Sequence, residues 1–182
     1  MDSQTGIAIR RARTADAPEL AALAGATFAE TFAHITPENM ARYLATEETP
    51  EHYAQLISQP GMAVWLATAP DGAVVGFLTA GHCKLPAPGR EPRAGEIHQL
   101  YLRSDVQGQG LGTVLLQTGL DWLRAQGYRP LYIGVWSQNL GAQRLYGRYG
   151  FEKVGEYDYP VGEHLDREFI LRERDPSPTE QR

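Results

Sequence analysis

The segment Gln107-Gly108-Gln109-Gly110-Leu111-Gly112-Thr113 lies between an apolar run, Gly95 to Leu102, and a Leu-rich stretch from about Gly110 to Gln126. Glycine lets successive backbone N–H groups crowd around an anion, and the start of a helix adds the positive end of its dipole. A strand, a glycine turn and a helix in that order make a seat for phosphate or pyrophosphate. Two better-known phosphate loops do not fit. The spacing G-x-x-x-x-G-K-[ST] fails because no Lys follows, and G-x-G-x-x-G would need Gly at 113, where Thr stands. From this loop alone, an ordinary turn feeding a helix remains open.

The rest of the chain reads as α/β, with local hairpins and at least one strand–helix–strand crossover. Gly6 to Arg11 predicts an opening strand. Thr14, ahead of Ala15-Asp16 and Pro18-Glu19-Leu20, predicts the capped start of a helix through Leu23, Phe28 and Phe32. Helical pieces follow from Pro37 and from Pro50 to Ser58, then the Pro60-Gly61 break. Met62 to Ala69 and Ala73 to Cys83 flank Pro70-Asp71-Gly72, a hairpin signal. The Pro-rich segment 84–93 reads as an exposed loop. After the glycine turn, Leu111, Val114, Leu115, Leu116, Leu120, Trp122 and Leu123 cover well over half of a helical wheel, which predicts a mostly buried helix stopped by Gly127. Pro130 to Trp136 reads as a strand, Asn139 to Tyr149 as a helix, and Phe151 to Tyr157 and Leu165 to Arg172 as strands. One domain is expected over 1–174, with a disordered tail over 175–182.

Composition narrows the class. A length of 182 residues with 42% hydrophobic suits one globular core. Seventeen Lys+Arg against 22 Asp+Glu give −5, which argues against a broad nucleic-acid surface. A single Cys rules out a disulfide framework and a Cys-rich zinc site. No apolar run reaches the ~18 residues of a membrane span, and the start lacks a secretory pattern. The expectation is a soluble, cytoplasmic protein whose partners are neither nucleic acid nor membrane.

A second element, Asn139-Leu-Gly-Ala142-Gln-Arg-Leu145-Tyr146-Gly-Arg-Tyr149-Gly150-Phe151, follows the glycine turn after one helix and one strand. Gln-x-x-Gly-x-Gly and then Asn-x-x-Ala-x-x-x-Tyr-x-x-x-Gly-Phe, in this order, resemble the GNAT family of N-acetyltransferases. The resemblance implies the acyl-CoA N-acyltransferase fold, a mixed, mostly antiparallel sheet with one splayed parallel strand pair, flanked by helices. Acetyl-CoA would lie between the strand ending at Leu102 and the one ending near Trp136. Backbone N–H groups of Gly108, Gln109, Gly110, Leu111, Gly112 and Thr113 would hold its pyrophosphate, with the Thr113 hydroxyl adding to them. Leu100, Tyr101 and Leu102 would pair with the pantetheine arm as if it were an added strand. Gln107 takes a place that many relatives fill with Arg. Asn139 would touch the cofactor arm and Tyr146 the thioester sulfur. Read without the resemblance, Ala142, Leu145, Tyr146 and Tyr149 also make a plain core stripe, and Asn139 a plain helix cap.

The implied reaction is direct acetyl transfer to a primary amine in a ternary complex, without a metal. An amine of pKa near 10.4 is neutral in only about one molecule in 2,500 at pH 7, so a base is needed. Backbone N–H groups near Leu102 would serve the oxyanion, and Tyr146 would protonate the departing thiolate. A Glu that a subset of relatives carries five residues before the Asn is Gly134 here. Another subset carries its acid where Glu96 stands. Strand alternation places Glu96, His98, Leu100 and Leu102 on one face, which makes His98 the second candidate base. Both are also readable as ordinary strand residues.

Other residues carry weaker signals. His34, His52, His82 and His164 show no metal-ligand spacing, and Cys83 reads as buried rather than nucleophilic. Arg10, Arg11 and Arg13 read as a solvated strand edge. Trp65, Trp122 and Trp136 read as packing residues, with Trp136 where the strands should part. Acceptor choice is expected from segments about 28–53, near 84–94 and around 157–164, and Glu30, Glu38, Glu47, Glu156, Asp158 and Glu163 in or beside them suit a cationic amine. The C-terminal pattern also looks like bacterial members that acetylate polyamines. A small-molecule or peptide acceptor is implied, as is a homodimer through the C-terminal strands. Two rivals stay open: a coenzyme A-binding sensor that has lost turnover, suggested by Gly134, and a nucleotide-binding module resting on the glycine turn alone.

Overall fold

The computed structural model describes residues 6–175. Its elements are β1 (Ala8–Arg11), α1 (Ala17–Thr31), α2 (Pro37–Glu47), α3 (Pro50–Ser58), β2 (Ala63–Thr68), β3 (Val74–His82), β4 (Gly95–Leu102), α4 (Leu111–Ala125), β5 (Leu131–Trp136), α5 (Leu140–Arg148), β6 (Phe151–Val161) and β7 (His164–Glu173). The strands make one sheet in the order β1-β2-β3-β4-β5-β7-β6. Every neighbouring pair is antiparallel except β4 with β5. The expected α/β fold with its single parallel pair is therefore present. The expected tail lies outside the described residues apart from Asp175.

Each face of the sheet has its own core. Leu78, Ile97, Leu115, Leu116, Leu120 and Ile133 join on the α4 face, while Leu20, Ala24, Tyr53, Leu66 and Phe77 join under α1 and α3. The helix starts explain why the chain turns where it does. Thr36 and Thr49 accept from the backbone N–H of Asn39 and His52, each ahead of a Pro at the first helical turn. The entry to α1 is organised by Asp16 rather than Thr14, which lies in a short 3-10 turn. Asp16 accepts from Arg13 N at 2.7 Å and from both terminal nitrogens of Arg10 at 2.8 Å. The Arg10 hydrogen bond is the main reason its carboxyl is held down to about 2.

Four further expectations are corrected. Segment 84–93 is not wholly an exposed loop, because Leu85 is buried and the Lys84 and Leu85 N–H groups donate to Glu96. Helix α4 buries a narrower stripe than its composition suggests, for Val114 is 51% exposed. Strands β6 and β7 run on to Val161 and start at His164, a longer ribbon sustained by cross-strand pairs such as Asp158 with Arg167.

The fourth correction shapes the site. In β4, Ile97 faces Ala80 and Gln99 faces Thr79, so His98 is an extra residue, a β-bulge. The alternation is reset there. Leu100 and Leu102 pack with the α4-side core. Gln99 instead reaches Tyr53 of α3 through a 2.9 Å hydrogen bond. Glu96 and Leu100 thus do not share a face. A bulge bends its strand, and β4 pairs with β5 only from Gly95–Ile97 to Leu131–Ile133. The far edge of β5 is meanwhile paired with β7 along Tyr132–Trp136. The two parallel strands fork.

Candidate active site

One side of the fork leads to the glycine turn. Gly108 and Gly110 have φ of 73° and 81°, in the left-handed region that glycine alone enters without strain. Nothing lies within 4 Å of a Cβ built on either, so the turn stands open. Gly110 caps α4 with no side-chain hydrogen bond, and the first bond along the helix is Val114 N to Gly110 O at 3.2 Å. The N–H groups of Leu111, Gly112 and Thr113 consequently have no partner in the helix. Donors of this kind, at the positive end of a helix dipole, are the type of group that could hold an anion. Gln107 and Gln109 turn inward as braces, donating to Leu102 O at 3.0 Å and Asp105 O at 3.3 Å. Leu100, Tyr101 and Leu102 pair with β3 on one edge and face the gap with the other.

Across the fork, on the α1 face, opens a cavity of about 470 Å³ whose lining includes Tyr146, Asn139, Glu96, His98 and Glu168. Asn139 caps α5, its Oδ1 accepting from Ala142 N at 3.1 Å. Two turns on, Tyr146 is buried, and burial followed by the charge of Glu168 raises its hydroxyl above the usual tyrosine range. It stays protonated at neutral pH. The bulged His98 has a buried Nε2 with no hydrogen-bond partner among the described residues. Its Nδ1 is 3.4 Å from Glu96 Oε1. Glu96 Oε2 accepts from Lys84 N at 2.7 Å and Leu85 N at 3.3 Å. Burial is the largest influence on Glu96 and pulls its pKa up, but His98 and the two N–H donors together bring it below the ordinary value. Glu96 is a fixed carboxylate.

Three features were not visible in the chain order. Glu168 of β7 accepts from Tyr157 Oη at 2.9 Å. Burial pushes its carboxyl up to about 7, opposed by that hydrogen bond and helped by the charges of Asp166 and Glu96. Glu48 accepts from Tyr53 Oη at 2.5 Å, and a relay continues from Tyr53 through Gln99 to Thr79. Third, His34 and His164 are not scattered. Both Nε2 atoms meet Asp166 Oδ1, at 2.8 and 3.2 Å, and His34 stacks on Trp136 with centroids 4.7 Å apart. That carboxylate serves both imidazoles.

Of the acids expected to meet an acceptor, Glu47 lines the cavity. Glu38 pairs with Arg42, Glu156 with Lys153 and Arg167, and Asp158 with Arg167. Glu30 and Glu163 are exposed. The lining carboxylates are mostly other ones, Glu48, Glu96 and Glu168. Cys83 is buried as expected, its thiol pushed up to about 12 by burial.

The sequence profile of the acetyltransferase (GNAT) family matches residues 28–151, which span both the glycine turn and α5. The chain belongs to the GNAT family. An N-acetyltransferase encoded in the pepI 3′ region of Lactobacillus delbrueckii subsp. lactis is 29% identical over 169 residues, 92% of this chain and 97% of that protein. The L-methionine sulfoximine/L-methionine sulfone acetyltransferase of Pseudomonas aeruginosa is 29% identical over 174 residues, 93% and 95% of the two chains. The crystal structure of PaiA N-acetyltransferase from Thermoplasma acidophilum in complex with coenzyme A superimposes with a TM-score of 0.73 at 21% identity, covering 93% of this chain and 99% of that one. The forked β4–β5 pair is thus part of a GNAT fold, and acetyl transfer is the activity that family membership assigns in general terms.

Proposed function

We propose that this GNAT protein transfers the acetyl group of acetyl-CoA to a primary amine by direct attack, with the donor in the β4–β5 fork and the amine in the α1-face cavity. The observation that carries the reading is the fork itself. The glycine turn, open at Gly108 and Gly110, lies beyond one end of β4, and the cavity holding Tyr146 is lined by Leu100 and Tyr101 of the same strand. The free edge of Leu100–Leu102 supports pairing with an extended pantetheine arm. The amide nitrogen of Asn139, which makes no hydrogen bond among the described residues, supports a contact to that arm. Gln107 and Gln109 take part by bracing the glycine turn.

Tyr146 gives its proton to the departing thiolate. N–H groups near Leu102 stabilise the oxyanion as charge develops. Glu96 holds His98 through Nδ1, leaving Nε2 to take the proton that the nitrogen sheds as the new bond forms. The printed activity of the Pseudomonas relative concerns a small molecule, which favours a small amine here over a protein. With acetyl-CoA as donor, the reading assigns the reaction to the cytoplasm.

The test is thiol release from acetyl-CoA across a panel of amines, with acetylated product identified by mass. Tight ATP binding without coenzyme A binding would overturn the assignment. One observation favours a second reading: Gly134 offers no acid where some relatives have one. A coenzyme A sensor without turnover would then bind the donor and acetylate nothing.

A further inference from the structure

At the fork, β5 presents Gly134 toward the acceptor cavity. A Cβ built on Gly134 would lie 3.3 Å from Glu168 Oε2 and 3.5 Å from Tyr157 Oη. Glu168 arrives from β7, where it is in register with Trp136, and it lines the cavity together with Tyr146 and His98. Leu85 Cδ2 lies nearer still, at 3.1 Å, so the Glu168 carboxylate borders the space that a side chain at 134 would take and shares it with Leu85 and Tyr157. We propose that Glu168 is the base that removes the first proton from the acceptor's ammonium group, supplying from β7 the carboxylate that β5 lacks at Gly134. This rests on the acetyl-transfer reading above.

An amine substrate has two protons to lose beyond the one it keeps in the amide. The ammonium gives the first to Glu168, which becomes a neutral acid, and the nitrogen lone pair then forms the C–N bond. The second passes to His98 Nε2 as the C–S bond breaks. The electron pair of that bond goes to sulfur, which takes the Tyr146 proton. Tyr146 regains a proton from water while Glu168 and His98 each release one. The balance is one ammonium and one thioester giving one amide, one thiol and one proton.

The surroundings suit this role. Tyr157 of β6 donates to the carboxylate, and Asp166 of β7, shared by His34 and His164, adds negative charge. Glu96 of β4, with His98 beside it, adds more, and Tyr101 and Tyr146 both respond to the Glu168 charge. Burial and two neighbouring anions against one hydrogen bond leave the group at about 7, where it can both accept and release a proton. Glu96 and Glu168 thus stand in one cavity as a permanent anion and a titrating one.

The experiment compares pH profiles of kcat/KM for wild type, Glu168→Gln and Tyr157→Phe. Spermidine, L-methionine sulfoximine and a lysine-containing peptide serve as acceptors, and calorimetry follows coenzyme A affinity. Wild type should rise through a limb near 7 to a plateau. Glu168→Gln should lose roughly 10²-fold or more at pH 7 and then climb about tenfold per pH unit toward the amine's own pKa near 10.4, as free amine appears without help. Tyr157→Phe, which strips a bond from the charged form, should move the limb upward. Coenzyme A affinity should hold in all three. A wild-type limb in Glu168→Gln, or a loss equal at every pH, overturns the proposal. If wild type binds coenzyme A yet acetylates none of the three amines, the acetyl-transfer reading itself falls.

Discussion

Two carboxylates in the same cavity ionise in opposite senses because their partners differ. Glu96 has two backbone donors and an imidazole, enough to outweigh burial, whereas Glu168 has one tyrosine hydroxyl. Tyr146, raised by burial and by the charge of Glu168, keeps its proton at neutral pH. Tyr146→Phe is expected to lower kcat for thiol release by about 10²-fold while leaving coenzyme A affinity unchanged, measured by a thiol assay and calorimetry. Glu48 is a buried acid whose pKa burial raises and the Tyr53 hydrogen bond pulls back. Tyr53→Phe would raise it further. The resulting loss, about 1–3 kcal/mol at pH 7, should fade as pH falls below the ordinary glutamate value, where folded and unfolded chains are both protonated. Denaturant unfolding at neutral and acidic pH reads this out.

Helix starts and the β-bulge set the geometry at the scale of elements. Asp16 ties β1 to α1, and its pKa is lowered in the folded state. Its contribution is therefore present above the ordinary aspartate value and is lost as pH falls toward about 2. Asp16→Ala should cost about 1 kcal/mol at pH 7, since Arg10 is partly exposed, and nearly nothing at the acid end. Thermal melts across that range test it. Gly110→Ala meets no steric obstacle but forces a side-chain-bearing residue to φ near 81°. It should destabilise by about 1–2 kcal/mol and weaken coenzyme A binding more than it weakens any cavity contact, as calorimetry would show. Much at this scale was legible. Asn139 caps α5 as its place before Leu140 suggests, and the glycines at 108 and 110 adopt the backbone that only glycine accepts readily. The bulge at His98 was not. Glu-Ile-His-Gln-Leu-Tyr-Leu alternates smoothly on paper, and only pairing with β3 shows which residue is surplus.

Across the whole molecule, the cavity collects Glu47, Glu48, Glu96 and Glu168, with Lys84 as a lining cation. Such a field favours a cationic amine over one that carries its own carboxylate. Acetylation of spermidine should exceed that of L-methionine sulfoximine by at least about tenfold in kcat/KM, a difference of roughly 1.4 kcal/mol. Equal rates would remove charge as the basis of choice. What the amino-acid order determined by itself was local: the turn, the caps, the element types, and through them the family, because each depends on residues a few positions apart. What tertiary structure alone decided was the make-up of the cavity. Glu168 comes up beside Gly134 together with Leu85 and Tyr157, and Asp166 is shared by His34 and His164. Those meetings depend on which strands pair and in what register, a property of long-range packing that no short stretch of chain encodes.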